Sequence, residues 1–299
     1  MDLPLPTDVA PPVDTLTIEN LWLSIGHAAP VVRGVALRIG AGEVHGLVGE
    51  SGAGKSMIGR SVLGLLPRRA EVRAGHVRYG HTDLLRLDAA DRRRLLGRDI
   101  SVIPQDPMMS LNPVKRIRTQ MVDLFHHRIG LSRTASHTRA VALLDEVMIR
   151  DAARVAELYP HELSGGMRQR VLIALAFAGE PRLIIAEEPT TALDVTVQWG
   201  ILRLLRDMQT RHGAAVLFIT HDLGIVAKIC RTMTVLHAGR VLEQGRAADL
   251  LANPRHPYTR ALLASTPRFD RPADVLQPIP RALLDTLWAE AQATTMVRS

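Results

Sequence analysis

Residues 49–56, Gly-Glu-Ser-Gly-Ala-Gly-Lys-Ser, have the residue types and the spacing of a loop that holds phosphate groups. They fit the pattern G-x-x-x-x-G-K-[ST], in which glycines let the backbone curl and turn its N–H groups towards phosphate oxygens. In this interpretation Lys55 reaches the β- and γ-phosphates and the Ser56 hydroxyl binds Mg²⁺. The motif alone predicts a nucleoside triphosphate as ligand, and a glycine-rich turn that matches by chance is the alternative. The residues predicted to bind the nucleotide here are Gly49, Glu50, Ser51, Gly52, Ala53, Gly54, Lys55 and Ser56.

The elements around this loop have the pattern that such a loop requires. The apolar run from Val44 to Val48 predicts a buried strand, and the segment from Lys55 onward predicts an amphipathic helix. Continuous apolar runs later in the chain predict further strands of a parallel sheet that is covered on both sides. The other predicted strands are 15–25, 31–39, 76–79, 100–103, 183–186, 215–220, 232–237 and 240–244; the predicted helical segments are 115–178, 195–211 and 281–293.

Composition excludes several classes of protein. The 37 basic and 30 acidic residues give a net charge of +7, but the basic residues are scattered, so nucleic acid is not a predicted partner. One cysteine, Cys230, excludes an internal disulfide and a cysteine-ligated metal cluster. No apolar run approaches the ~20 residues that cross a bilayer, and the proline-rich start is not a signal peptide. These features predict a cytoplasmic protein.

Further motifs follow the phosphate loop, and together they resemble those of ATP-binding-cassette (ABC) ATPases. Residues 163–170 (LSGGMRQR) resemble the family's signature, and residues 183–188 (LIIAEE) resemble its strand that ends in two acids. The matches to its Q-loop, D-loop and switch histidine are Gln105, Ala192-Leu193-Asp194 and His221. The resemblance implies a head-to-tail dimer in which one subunit's Ser164, Gly165 and Gly166 close over the ATP held by the other.

Longer segments narrow the resemblance to the ATPase subunits of oligopeptide/dipeptide permeases. They are 105–113 (QDPMMSLNP), 159–170 (YPHELSGGMRQR), 188–198 (EPTTALDVTVQ) and 256–263 (HPYTRALL). Such relatives import peptides, or in some branches nickel chelates or related small ligands. The resemblance implies two membrane-spanning permease subunits, a second and similar ATPase subunit, and an external substrate-binding protein as indirect partner. It places the chain at the cytoplasmic face of the inner membrane.

The resemblance also implies roles for individual residues. Glu188, at the end of a buried strand and before a turn, is expected to orient or activate the attacking water, although a surface carboxylate is the alternative. His221 would hold the γ-phosphate and this water together. Gln105 would sense Mg²⁺ and the γ-phosphate and carry that state into the helical insert. Asp194 would brace the dimer. The expected catalytic residues are thus Glu188, His221, Lys55 and Gln105, and the expected metal site is Ser56, Gln105 and Glu187.

Two departures from the family pattern affect these expectations. The first acid after the apolar strand is Glu187, where relatives normally have Asp, and one extra methylene moves the carboxylate by about a bond length. We expect retained ATP binding and reduced or retuned hydrolysis.

The second departure concerns adenine. Ile25 occupies the position of the usual adenine-stacking aromatic, and Trp22, an odd number of residues away, should face the other side of the strand. His27 is a candidate substitute, and we expect weaker purine discrimination.

The sequence therefore predicts an α/β fold: a P-loop NTPase core of the ABC ATPase type with an antiparallel β-subdomain, an inserted helical subdomain and a short C-terminal extension. The predicted divisions are a flexible tail at 1–13, an ATPase domain at 14–252 with a helical subdomain at about 114–162, and the extension at 253–299. The expected function is ATP hydrolysis that powers an importer for peptides or similar small ligands. Two alternatives stay open: a regulatory, low-activity half of a heterodimer, and a soluble ABC ATPase of DNA repair or translation.

Overall fold

The computed structural model describes residues 15–26, 28–191, 193–266 and 277–294. The predicted tail at 1–13, His27 of the adenine prediction and Ala192 of the D-loop lie outside the described residues. The strands, in chain order, are β1 (Leu16–Ile25), β2 (Val32–Ile39), β3 (Val44–Val48), β4 (Ala70–Tyr79), β5 (Thr82–Asp83), β6 (Ile100–Ile103), β7 (Leu183–Glu187), β8 (Ala215–Thr220), β9 (Thr232–His237) and β10 (Arg240–Arg246).

The helices alternate with the strands in the core and are concentrated between β6 and β7. They are α1 (Lys55–Leu63), α2 (Ala89–Leu95), α3 (Pro107–Ser110), α4 (Ile117–Leu124), α5 (Arg133–Glu146), α6 (Ala152–Ala156), α7 (Gly165–Phe177), α8 (Val195–His212), α9 (Leu223–Ile229), α10 (Ala247–Ala252), α11 (Pro257–Ser265) and α12 (Arg281–Ala293). A π-helical turn, Phe125–Ile129, continues α4, and a 3₁₀ turn, Pro160–Glu162, precedes α7. Among the described residues, none of these helices is both long and apolar enough to cross a membrane.

The strands form two sheets. The first is antiparallel with the order β2-β1-β4-β5, and the second has the order β10-β9-β3-β8-β7-β6. In the second sheet every neighbouring pair from β9 to β6 is parallel, and β10 closes it as an antiparallel hairpin with β9. The carboxyl ends of β9, β3, β8, β7 and β6 therefore meet along one edge, which is where ligands bind in sheets of this type.

Three apolar clusters hold these layers together. One joins β7 and β8 to helices α4 to α8, and a second fills the space between the two sheets and α1. The third packs α9 to α12 against β9 and the end of β3. Ala140, Leu143 and Leu144 of α5, and Val147 just after it, recur at helix-face spacing and are all buried in the first cluster. The chain folds as predicted into an α/β core with an antiparallel sheet and a helical segment.

Two strands differ from their sequence patterns. β4 begins at Ala70 rather than at His76. Its first part has no strand pattern because it carries exposed polar residues such as Glu71 and Arg73, and it is held by backbone pairing with β1. In β1, register shifts on both sides of Trp22 break the inside–outside alternation, so consecutive residues from Leu21 to Ser24 are buried. Strict alternation, on which the expectation for Trp22 rests, is therefore interrupted at this residue; Trp22 is buried, whereas Ile25 is 39% exposed.

Candidate nucleotide-binding and catalytic site

The candidate site lies at the carboxyl edge of the parallel sheet. The phosphate loop follows β3, and on one side of it Gln105, Glu188 and His221 follow β6, β7 and β8. Because β8 lies next to β3 and β7 next to β8, the three polar residues form a row beside the loop. The sheet order thus brings together groups that are far apart in sequence.

The phosphate loop has a backbone path that only glycine can take at two points. A Cβ on Gly49, at φ +154°, would lie 2.1 Å from the carbonyl oxygen of Leu236 on β9. A Cβ on Gly54, at φ +102°, would lie 2.8 Å from the carbonyl oxygen of Val31. The loop is therefore wedged between β9 and the start of β2. Its close approach fixes where its N–H groups point.

Lys55 begins α1 and folds back over the loop. Its Nζ donates hydrogen bonds to the carbonyl oxygens of Gly49 at 2.7 Å and Glu50 at 2.8 Å. Burial lowers the pKa of Lys55, whereas the negative charges of Glu188 and Glu50 act in the opposite direction. The ammonium group thus lies at the centre of the loop, close to the place where the N-terminus of α1 favours an anion.

Glu188 is the centre of a hydrogen-bonded cluster. Its Oε2 accepts from Gln105 Nε2 at 3.2 Å and from Thr191 Oγ1 at 2.9 Å, and its Oε1 lies 3.1 Å from His221 Nδ1. The Glu188 backbone has φ +41°, which is unusual for a residue with a side chain. Its N–H donates to the carbonyl of Ile219 on β8 at 2.8 Å, which holds this turn in place. The cluster orients one carboxylate with a neutral amide, a hydroxyl and an imidazole.

Glu187 points in a different direction from Glu188, towards α1. A Cβ on Gly59 would lie 2.9 Å from Glu187 Oε1, so the carboxylate occupies the space that any other residue at 59 would need. Burial raises the pKa of Glu187, and Glu188 adds to this rise while Arg60 opposes it. Ser56 lies on the same face of α1 as Gly59 and Arg60, since residues three and four apart share a helix face.

This arrangement fits a magnesium ion. Mg²⁺ prefers oxygen ligands. Three are available here: the exposed Ser56 hydroxyl, the Glu187 carboxylate that lies against the same face of α1, and the side-chain carbonyl of Gln105. Gln105 donates its amide N–H to Glu188, which leaves its oxygen free to accept. The donor set is therefore chemically suited to the predicted metal, with Glu187 in place of a shorter acid.

The signature residues lie at the start of α7. Ser164 caps this helix and accepts from the N–H of Met167 at 3.3 Å. A Cβ on Gly165 would lie 3.6 Å from Leu193, and a Cβ on Gly166 would lie 2.8 Å from Val197, in the segment that follows the Glu188 turn. In the described part of the chain, no hydrogen bond joins these residues to the chain's own phosphate loop. Ser164 thus presents a helix start near Leu193 rather than at the loop.

Comparisons with known proteins agree with this geometry. Residues 32–191 match the family described as ABC transporter, and residues 242–288 match the family described as oligopeptide/dipeptide transporter, C-terminal region. The chain belongs to the ABC transporter family. It is 46% identical to the probable D,D-dipeptide transport ATP-binding protein DdpD of Escherichia coli over 89% of this chain and 82% of that one. It is 41% identical to the dipeptide transport ATP-binding protein DppD of Bacillus subtilis, over 88% and 80% of the two chains.

Solved structures confirm the predicted fold of this ABC ATPase. The dimeric ATP-binding cassette MJ0796, bound to ADP and Pi in a post-hydrolysis state, superposes with a TM-score of 0.68 at 25% identity, covering 78% of this chain and 98% of that one. The cbiO1 subunit from Clostridium perfringens, part of the complex cbiONQ, gives 0.70 at 26% identity, covering 86% and 96%. The resemblance to ABC ATPases and peptide permeases stated from the sequence is confirmed, and ATP is the nucleotide that this family binds.

The residues of the adenine prediction that the structure describes are Ile25 and Trp22. Ile25 is 39% exposed at the end of β1, whereas Trp22 is buried and donates from Nε1 to Asn20 Oδ1 at 2.8 Å. Sequence reasoning did not anticipate Trp288 of α12. This residue is 48% exposed and lines a cavity of about 210 Å³ beside residues 50–53 of the phosphate loop.

Sequence reasoning also missed three other residues at this site. Thr191 bonds Glu188, Gly59 makes room for Glu187, and Tyr258 reaches the phosphate-loop residue Glu50. Thr191 follows directly from the turn after β7 and could have been named. A signal for Tyr258 was present in the segment HPYTRALL, but nothing in the sequence places that segment beside the loop. Gly59 looked like any small residue of an amphipathic helix.

Proposed function

We propose that this chain is the ATP-binding and ATP-hydrolysing subunit that powers an ABC importer for peptides or similar small ligands. The observation that carries the proposal is the Glu188 cluster, in which the carboxylate lies 3.2 Å from Gln105 and 3.1 Å from His221 beside the phosphate loop. The match of residues 242–288 to the C-terminal region of oligopeptide/dipeptide transporters supports a peptide-type cargo. The relatives DdpD and DppD, named for dipeptide transport, support it further.

The residues divide the chemistry of hydrolysis between them. The loop N–H groups and Lys55 hold the phosphates, and Lys55 exchanges the carbonyls of Gly49 and Glu50 for phosphate oxygens when ATP binds. Glu188 accepts a hydrogen bond from the attacking water and orients it towards the γ-phosphate. His221 holds this carboxylate in place and lies on the exposed side of the cluster, where it reaches the phosphate.

The metal and a second subunit complete this site. Ser56, Glu187 and Gln105 would hold Mg²⁺, which supplies charge stabilisation for the phosphate oxygens. Ser164, Gly165 and Gly166 would close over the ATP of a facing ATPase subunit of similar sequence. The assembly would further contain two membrane-spanning permease subunits and, indirectly, an external substrate-binding protein. This ATPase would lie at the cytoplasmic face of the inner membrane as a peripheral subunit, and Asp194 would brace the dimer.

Reconstitution tests the proposal. The chain is co-produced with its genomically adjacent permease and ATPase subunits, placed in liposomes, and assayed with a panel that includes L,L- and D,D-dialanine and the cognate binding protein. We expect ATP-dependent uptake of at least one dipeptide and its loss in Glu188→Gln, while binding of ATP is retained. Failure of the chain to co-purify with any permease subunit would contradict the proposal and favour a soluble ABC ATPase.

A second candidate is a regulatory, low-activity half of a heterodimeric ATPase. The observation that favours it is Glu187, whose longer side chain and burial change the expected metal site. The comparison of hydrolysis by the isolated chain with hydrolysis by the reconstituted pair separates the two candidates. If Glu188→Gln in this chain leaves turnover of the pair unchanged, the regulatory role is correct.

A further inference from the structure

Tyr258 bonds the C-terminal extension to the phosphate loop. Tyr258 of α11 directs its hydroxyl at Glu50, the second residue of the loop, and donates to Glu50 Oε2 at 3.2 Å. The ring of Tyr258 packs on the ring of His237, with centroids 4.6 Å apart, at the carboxyl end of β9. The contact joins residues that are 208 positions apart in the chain. It connects the segment typical of peptide transporters with the nucleotide site common to all ABC ATPases.

Tyr258 is held rigidly. It is fully buried, and its helix is capped by His256, whose side chain accepts from the Tyr258 N–H at 3.1 Å. The carboxylate of Glu243 on β10 accepts from the N–H groups of Arg255 at 2.8 Å and His256 at 3.1 Å, so the start of α11 is bonded to the sheet. Burial also raises the pKa of Tyr258, so the hydroxyl keeps the proton that it donates.

Glu50 is held from two sides. Its side chain accepts from Tyr258, and its backbone carbonyl accepts from Lys55 Nζ at 2.8 Å. The Lys55 bond is given up when the lysine turns to phosphate, whereas the Tyr258 bond does not compete with the ligand. After ATP binds, Tyr258 therefore still holds Glu50 by a direct hydrogen bond, beside His237, whose Nδ1 lies 3.7 Å from the same carboxylate oxygen. Holding Glu50 also holds the N–H groups at the start of the loop.

We propose that Tyr258 is a positioning residue for the nucleotide, which sets ATP affinity by holding Glu50 and keeping the phosphate loop in its binding conformation. A loop that is already ordered loses less conformational entropy when it binds. The C-terminal extension is in this way a part of the nucleotide site and not only an appendage. The inference rests on the proposed function in one respect, namely that the loop binds ATP.

The test measures nucleotide affinity in the full-length chain with a fluorescent ATP analogue and with unlabelled ATP as competitor. We expect Tyr258→Phe to weaken ATP and ADP about tenfold, which corresponds to ~1.4 kcal/mol. Glu50→Ala should weaken binding by a similar factor, and the double variant should lose no more than either single one. Glu50→Gln keeps an acceptor for the tyrosine hydroxyl and should weaken ATP binding less than Glu50→Ala does.

Leu262→Ala is the matched control. Leu262 is buried on the same helix, one turn after Tyr258, and packs in the third apolar cluster. Its truncation should lower the melting temperature more than Tyr258→Phe does, and it should leave ATP affinity unchanged within about twofold. Normal affinity in Tyr258→Phe, or additive effects of Tyr258→Phe and Glu50→Ala, would overturn the inference alone. Absence of ATP binding by the unchanged chain would instead overturn the proposed function together with it.

Discussion

The pair Glu187 and Gly59 allows a sharp test of how the metal site is built. The perturbation is Glu187→Asp, with and without Gly59→Ala. In the chain as it stands, a methyl group at 59 would lie 2.9 Å from Glu187 Oε1 and 2.8 Å from Ile219 Cδ1, and 3.3 Å from Ile185 Cγ2. Ile219 Cδ1 is the end of a flexible side chain, whereas the carboxylate is one acid of a closely spaced pair. The glutamate should therefore decide whether alanine is tolerated.

The magnitudes follow from these contacts. Overpacking at such a position costs about 1–3 kcal/mol, and replacing glycine by alanine inside a helix returns about 1 kcal/mol. We therefore expect Gly59→Ala to lower the free energy of unfolding by up to about 2 kcal/mol beside Glu187. In the Glu187→Asp background the carboxylate is withdrawn, and the same change at 59 should cost at least ~1 kcal/mol less. Urea unfolding of the four proteins measures this coupling.

Hydrolysis supplies the second readout. Shortening the side chain moves the carboxylate by about a bond length, in a site where ~1 Å corresponds to ~100-fold in rate. We expect Glu187→Asp to raise ATP turnover at limiting Mg²⁺ at least tenfold, with ATP affinity within about threefold of the unchanged chain. Equal turnover at limiting Mg²⁺ would refute the interpretation of Glu187. Equal destabilisation by Gly59→Ala in both backgrounds would refute the assignment of Gly59 as its partner.

Other predictions test the remaining parts of the site and the core. Glu188→Gln should lower turnover by ~100-fold or more while ATP affinity stays within about threefold, because the amide oxygen can still accept from Gln105 and Thr191 but the amide takes no proton from water; a loss below tenfold would contradict this. His45 is buried between two threonine hydroxyls and its pKa is lowered to about 4, chiefly by burial. The stability that depends on neutral His45 is fully present above pH 6.5 and is lost as the pH falls towards 4, because the unfolded chain takes up a proton that the buried ring does not. The free energy of unfolding should therefore drop by about 2 kcal/mol between pH 7.5 and 5. In His45→Gln, the free energy of unfolding measured with urea should depend less on pH over this range. An unchanged pH dependence in this variant would contradict the prediction. In a chain with Trp22→Phe and Trp199→Phe, emission from Trp288 should change on addition of ATP and not of AMP, since its cavity adjoins the phosphate loop; an equal response to both would exclude it as a reporter of the β- and γ-phosphates.

The fold was largely predictable because its strands have strong patterns. The buried strands β3, β7 and β8 are mostly apolar, and the motifs that follow them appear at the edge where parallel strands end. The second half of β4 was predicted at 76–79, but the first half was not, because it is polar and depends on pairing with β1, which no local pattern encodes. The register shifts of β1 likewise have no signal in its own residues.

Within the site, the residue types were predictable and the contacts between distant residues were not. The order of motifs predicted Gln105, Glu188 and His221 as partners in hydrolysis, and the structure brings them within hydrogen-bonding distance; their roles stay predictions. The contact of Tyr258 with Glu50 depends on how the C-terminal helices pack against β9, which no pattern near either residue encodes. The positive φ of Glu188 occurs in the turn after β7, and the residue type does not predict it, because glutamate rarely adopts this conformation.

The bond between Gln105 and Glu188 has a mechanical consequence. Gln105 stands just before α3, and α3 packs on α7, the helix that begins with the signature. A displacement of this helical segment that lengthens the bond removes one of the three groups that orient the Glu188 carboxylate. Linkage makes the relation symmetrical. A change in charge or occupancy at the carboxylate therefore alters the free energy of displacing the segment by the same amount. One amide group thus couples the position of the helical segment to the orientation of the carboxylate, in both directions.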